Sequence, residues 1–112
     1  MDCVFCKIAN GEIPSKKAYE DDKVLAFYDL DPQAPVHILL IPKEHIASAE
    51  EITAQNSAVV AHLFEVAAKL AKENHLTDGF RIVSNVGKDG GQSVPHLHFH
   101  LLGGRSMKWP PG

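Results

Sequence analysis

From His96 to Leu101 the chain alternates without a break between imidazole and apolar side chains, reading His96-Leu97-His98-Phe99-His100-Leu101, with Leu102 behind it. A period of two belongs to a β-strand, and on a strand it sends successive side chains to opposite faces. Leu97, Phe99 and Leu101 then cover a core, while His96, His98 and His100 face something polar. Three of the seven histidines of this 112-residue chain thus fall within five positions. The rest of the fold must supply both a core for one face and a purpose for the other.

Three purposes compete. A solvated face is the bland one, but lysine, threonine or glutamate fills such faces more often. A three-histidine metal site meets a geometric objection. Alternate residues stand ~6.6 Å apart, so the outer pair is ~13 Å apart, whereas zinc holds each nitrogen at ~2.0–2.1 Å. Two neighbours can share an ion, but three cannot. The remaining purpose is catalysis, with a neutral imidazole as nucleophile or base. The loop before the strand favours it. Asn85-Val86-Gly87-Lys88-Asp89-Gly90-Gly91-Gln92-Ser93 brings three glycines, an amide and a hydroxyl to the strand's mouth. Glycine lets backbone N–H groups approach an anion closely. The loop lacks the Gly-Lys-Ser/Thr ending of a P-loop, and few cations stand near it in sequence, Lys88 within it and Arg105 beyond the strand. A phosphorus centre of low charge, of the phosphodiester kind, suits it better than a terminal phosphate. A neutral imidazole would attack phosphorus, amides and imidazoles would stabilise the oxygens, and water would release the phosphohistidine.

The rest of the chain predicts an α+β fold. Residues 3–10 read as a short helix ending at Asn10-Gly11. Ala18–Glu20, Val24–Leu30, Val36–Ile41, Phe80–Asn85 and Pro95–Leu102 read as strands. Asp31-Pro32, Pro42 and Asp78-Gly79 punctuate them. Ser48-Ala49-Glu50-Glu51 matches a capping box opening a helical turn. Between Thr53 and His75, Val59, Leu63, Val66, Ala67 and Leu70 keep helical spacing, with Glu65, Lys69 and Lys72 off the stripe. Tight turns join neighbouring strands. The expectation is therefore an antiparallel sheet of about five strands with one long helix on a face and a short N-terminal helix. His62 and His75 read as exposed helix residues without a role. At 45% hydrophobic with a net charge of −3, the chain has the composition of a single globular domain spanning 1–112. The small negative charge and the lack of a basic cluster argue against a nucleic-acid partner. No apolar run is long enough for a membrane span and no signal peptide is visible, so the expected location is cytoplasmic.

These residues resemble the histidine triad (HIT) superfamily, whose signature is His-x-His-x-His-x-x with apolar x. The likeness is to its histidine triad nucleotide-binding (Hint) branch, the purine nucleoside phosphoramidases. It extends through Phe5-Cys6-Lys7-Ile8, Glu12-Ile13-Pro14, Tyr19-Glu20-Asp21-Asp22, Ala26-Phe27-Tyr28-Asp29, Pro32-Gln33-Ala34-Pro35, His37, Ile41-Pro42-Lys43, His45-Ile46, Gly90-Gly91-Gln92-Ser93-Val94 and Trp109-Pro110-Pro111-Gly112. The resemblance implies a nucleotide hydrolase of the adenosine 5′-monophosphoramidase type, acting on AMP joined to lysine or another amine. His98 would be the nucleophile on the α-phosphorus, its other ring nitrogen held by a backbone carbonyl. His100 would contact the phosphate, and His37 would be a further active-site histidine. Ser93 would sit near the leaving group, with Gly91, Gln92 and Asn85 about the phosphate. Asp29 would receive the ribose hydroxyls, and Phe5, Ile8, Phe27 and Leu30 would wall the base. The family is dimeric, two sheets joining into one, and its C-terminal tail reaches the partner's active site. Its other large branch cleaves dinucleoside polyphosphates, and related transferases carry glutamine where His100 stands. A nucleotide-binding regulator with little turnover would share the same pocket.

Cys3-Val4-Phe5-Cys6 is a Cys-x-x-Cys pair without a thioredoxin-like context. It reads as half a zinc site, the bland alternative being two reduced thiols packed under the first helix. His45 and His96 are the candidates for the other half, as in bacterial members of the family that the chain resembles. The zinc would be structural, leaving His98 and His100 free for chemistry.

Overall fold

A computed structural model describes residues 3–112. In chain order it contains α1 (Val4–Ala9), β1 (Lys17–Glu20), β2 (Val24–Tyr28), β3 (Val36–Pro42), a 3-10 turn (Ala49–Glu51), α2 (Ser57–Glu73), β4 (Phe80–Val83) and β5 (Phe99–Gly103). The strands form one sheet in the order β1-β2-β3-β5-β4, and every neighbouring pair is antiparallel. This is the expected α+β architecture. No helix among the described residues is long and apolar enough to cross a membrane.

The central strands read as apolar runs rather than alternations because both of their faces are covered. Val24, Ala26, Ile38 and Leu40 pack with Leu63, Val66, Ala67 and Leu70 of α2, and with Leu97, Phe99 and Leu101. Leu25, Phe27, Leu39 and Ile41 pack on the opposite face with Cys3 and Phe5 at α1. Burying such side chains contributes roughly 1.5–3 kcal/mol each. The long helix holds one face of the sheet, and the short helix, with the histidines, occupies the other.

Several boundaries differ from those the sequence predicts. β2 stops at Tyr28 and β4 at Val83, earlier than expected. α2 starts at Ser57 rather than Thr53, because side chains capture the local donors. The Asn56 Oδ1 accepts from Thr53 N–H at 2.7 Å, and the Thr53 hydroxyl oxygen accepts from Gln55 N–H at 3.2 Å. Such local bonds compete with helical ones. At the other end, His75 takes φ +58°, Leu76 N–H reaches Ala71 O at 3.0 Å and His75 N–H reaches Lys72 O at 3.1 Å. That is a Schellman closure with histidine in the position usually given to glycine. His75 therefore terminates the helix instead of riding on it.

β5 begins at Phe99, four residues later than predicted. Pro95 has no N–H, His96 N–H turns back to Val94 O, and Leu97 N–H goes to Ile46 O at 2.6 Å. The donors that would have extended the ladder are spent on loops. The alternation of faces survives nonetheless, since Leu97, Phe99 and Leu101 share one core cluster.

His62 also departs from expectation. Its Nε2 meets the Asp21 carboxylate at 2.6 Å and its Nδ1 meets Glu65 at 3.0 Å. Asp21 also accepts from Tyr19 OH and from the N–H groups of Lys23 and Val24. Burial works to raise the Asp21 pKa, but the bonds from His62, Lys23, Tyr19 and Val24 override it and hold the carboxyl well below its usual range. The bond to Asp21, followed by that to Glu65, raises the His62 pKa. The His62 contribution is complete below the unfolded value, about pH 6.5, and fades as pH rises through the raised one. The Asp21 contribution is complete above about pH 4 and fades as pH falls through the depressed one. The melting-temperature gap between wild type and His62→Gln is thus expected to be widest between about pH 4 and 6.5 and to narrow by pH 9, as thermal denaturation across pH would record.

Candidate active site and metal centre

The ladder brings two distant histidines together. Leu39 lies opposite His100, so the two share a face, and His37 lies two residues along that face. Diagonal neighbours of this kind are within reach of long side chains. His37 Nε2 and His100 Nδ1 are 2.8 Å apart.

The hydrogen-bond partners dictate the tautomers. Gln33 N–H donates to His37 Nδ1 at 3.0 Å, so the His37 proton resides on Nε2. That proton is given to His100 Nδ1, the nearest acceptor, with the Asp29 carboxylate further off at 3.4 Å. His100 consequently carries its hydrogen on Nε2 and is a donor. His98 is set the other way round. Its Nδ1 lies 2.7 Å from His96 O, and a carbonyl only accepts, so Nδ1 bears the hydrogen and Nε2 keeps a lone pair. The His98 and His100 rings stand 5.1 Å apart between centroids. One imidazole is a ready nucleophile, and its neighbour is a ready N–H donor.

Burial favours the neutral form of His37 and His100. It is the largest cause of the lowered pKa of His37, opposed by Asp29 and Asp31. For His100, burial, then His98 and His37, push the pKa down to about 4.

The other predicted residues surround this pair unevenly. Phe5 meets the His98 ring edge-on at 5.1 Å and Phe27 at 5.6 Å, while Ile8 packs on the same cluster. Leu30 is fully exposed in the turn after β2 and stands clear of that cluster. Asp29 caps its own turn, Oδ1 accepting from Asp31 N–H at 2.8 Å, and offers Oδ2 to His37. Asn85 donates to Gly90 O at 2.7 Å, so it braces the glycine loop. Gln92 does the same, accepting from Gly87 N–H and donating to Ala47 O and Val94 O. Gly91 has φ +77°, a conformation that favours glycine, and a Cβ at Gly90 would stand 2.2 Å from Val86 O. Ser93 is exposed at the loop's end.

His96 lies on the same side of the sheet but turns its ring toward the cysteines. It is fully buried, its Nε2–H donates to Pro42 O at 2.8 Å, and its Nδ1 lone pair points at the cysteines. That Nδ1 is 3.3 Å from Cys3 Sγ, 3.5 Å from Cys6 Sγ and 3.3 Å from His45 Nδ1, and His45 Nδ1 is 3.2 Å from Cys6 Sγ. The edges of a tetrahedron with zinc–ligand bonds of 2.0–2.3 Å are about 3.3–3.8 Å. The four donors therefore fit one tetrahedral ion. Two thiolates and two neutral imidazoles also balance its charge. Cys3 and Cys6 are both free thiols. Asp29, His37 and His100 form a second close group, but their hydrogen bonds account for it.

This geometry agrees with what the chain is similar to. Residues 10–107 match the HIT domain. A 14 kDa zinc-binding protein of Zea mays is 52% identical over 114 residues, covering 97% of this chain and 87% of the relative. Among solved structures, a HIT family hydrolase from Legionella pneumophila superposes with a TM-score of 0.96 at 51% identity, covering 99% of this chain and 100% of that one. A histidine triad nucleotide-binding protein from Candida albicans gives 0.83 at 35% identity, covering 97% and 83%. The chain belongs to the HIT domain family.

Proposed function

We propose that the protein is a nucleotide hydrolase that cleaves purine nucleoside 5′-phosphoramidates, compounds in which AMP is joined to an amine through nitrogen. The observation that carries this reading is the opposite protonation of two neighbouring imidazoles. The His98 Nε2 lone pair attacks the α-phosphorus, the P–N bond breaks, and the amine departs with a proton taken from solvent, which the attacking water of the next step returns. Water then attacks phosphorus, the bond to Nε2 breaks, and AMP leaves. His100 Nε2–H donates to a non-bridging oxygen, and the His37 proton on its Nδ1 holds it in that tautomer. Gly91 and Gln92 line the phosphate, Asn85 keeps their loop closed, and Ser93 sits on the leaving-group side. Asp29 receives the ribose hydroxyls, and Phe5, Ile8 and Phe27 wall the base, with Leu30 joining them on contact with the ligand. The Legionella neighbour's description as a hydrolase and the Candida neighbour's as nucleotide-binding support the class. Turnover of AMP-amines against diadenosine polyphosphates, with AMP binding measured alongside, tests the reading. Faster cleavage of the polyphosphates would move it to the other branch, and binding without turnover would make the protein a regulator.

Zinc is the ion we assign to Cys3, Cys6, His45 and His96, in keeping with the maize relative's name. Its task is structural, since neither His98 nor His100 belongs to the set. Thiols kept as ligands suit a reducing compartment, the cytoplasm. We further propose a single HIT domain over 1–112 that works as a homodimer. β4 is an edge strand with Phe80 46% exposed, and the tail leaves Trp109 84% exposed. Large aromatics on an open edge favour a second copy of the chain.

The tail is anchored through its backbone. Arg81 on β4 donates from Nη1 to Pro111 O at 3.0 Å and from Nη2 to Lys108 O at 2.5 Å. Deleting Trp109–Gly112 is expected to change the ratio of kcat/KM for a small and a bulky amine while AMP binding stays within about threefold, and Arg81→Ala is expected to shift that ratio the same way. Equal ratios in all three proteins would remove the tail from leaving-group selection.

A further inference from the structure

The four metal-facing donors come from three stretches of chain, and each stretch continues into the proposed nucleotide site. Cys3 caps α1 and Cys6 lies within it, and between them Phe5 presses on the His98 ring. His45 opens the second stretch. The next carbonyl, Ile46 O, takes Leu97 N–H at 2.6 Å, and Ala47 O takes the Gln92 amide that braces the glycine loop at 2.8 Å. His96 is the third. Its ring faces the cysteines while its carbonyl holds the His98 Nδ1–H at 2.7 Å.

None of these stretches belongs to the five-stranded ladder. A helix of six residues does not hold itself together in water. Without an ion, α1 is tied down mainly by Phe5 and its apolar neighbours. The base wall, the brace of the glycine loop and the carbonyl that sets the nucleophile's tautomer would all be free to shift.

We propose that the metal centre and the nucleotide site form one cooperative unit, in which an ion on Cys3, Cys6, His45 and His96 orders α1, residues 45–47 and His96 for a purine nucleoside monophosphate. The proposal rests on the nucleotide reading given above. An ion that has already ordered these segments relieves the nucleotide of that cost, so the two bind with positive coupling. Coupling is reciprocal, and AMP must tighten the hold on the ion by the same factor.

Zinc-loaded protein is first titrated with AMP by calorimetry. Its zinc is then drawn off by a chromophoric chelator, with and without saturating AMP. The expected result is that AMP lowers the zinc Kd about tenfold and that the metal-stripped protein binds AMP about tenfold more weakly. Hydrogen exchange on the stripped protein supplies the second readout. Amides of α1 and residues 45–47 should lose protection while the β3–β5 ladder keeps it. Zinc affinity unchanged within about twofold by bound AMP would overturn the coupling and leave the nucleotide reading intact. Uniform loss of protection would overturn it too, since the linkage would then be global unfolding. Failure of the loaded protein to bind AMP at all would remove the nucleotide reading, and this proposal with it.

Discussion

His98→Ala is expected to lower kcat on an AMP-amine by at least about 10³-fold, the scale on which an activated nucleophile is missed when it is deleted. Two features make His98 the single point of failure. It is the only ring of the trio whose Nδ1 donates to a backbone carbonyl, at 2.7 Å from His96 O, leaving Nε2 free. His100 cannot replace it, because the proton received from His37 at 2.8 Å occupies its Nδ1 lone pair and its Nε2 bears a hydrogen. Affinity for AMP should change by no more than about fivefold, since the ribose, base and most phosphate contacts proposed above lie elsewhere. Steady-state kinetics paired with calorimetric titration of AMP checks both halves. Turnover within about tenfold of wild type would mean that another atom attacks phosphorus.

The second large effect falls on stability. Replacing Cys3 and Cys6 together by alanine, or stripping the metal, is expected to cost at least about 3 kcal/mol. For a chain of this size that is a fall in Tm of about 10 °C or more. The cost arises twice over. Binding free energy of the ion is lost, and the buried Nδ1 of His96 and the half-buried Nδ1 of His45 lose the partners they face. Metal analysis of protein purified without added metal should give about one zinc per chain. The test is then a differential scanning experiment on wild type, stripped protein and the double variant. Equal melting temperatures in all three, with no metal in the first, would reduce the cysteines to packing.

Much of this was legible in the residues. Alternation at 96–101 fixed which histidines share a face, because a period of two is independent of whether the ladder bonds form. The helical stripe through Leu63, Val66, Ala67 and Leu70 named the residues that α2 buries. The glycine loop, the cysteine pair and the candidate partners His45 and His96 were visible as residue types at particular places. Element boundaries were read less well. They depend on where individual N–H groups find acceptors, as at Leu97 and Thr53, and those acceptors lie on other segments or in side chains. The tie of His62 to Asp21 had no sequence signal, for the two lie forty-one positions apart.

The sequence by itself therefore determined the chemistry available to this protein: three imidazoles in alternation, two thiols a helical turn apart, and a glycine-rich loop with an amide and a hydroxyl beside them. Tertiary structure alone decided which nitrogen does what. A histidine is donor, acceptor or ligand according to the group opposite each ring nitrogen. Those groups are Gln33 N–H for His37, Pro42 O and the thiols for His96, the His96 carbonyl for His98, and His37 for His100. Three of these four rings take at least one partner from another part of the chain, brought there by strand register and by α1 folding across the sheet. Chemically identical side chains thus acquired one place facing the thiols and two opposite arrangements of ring protons.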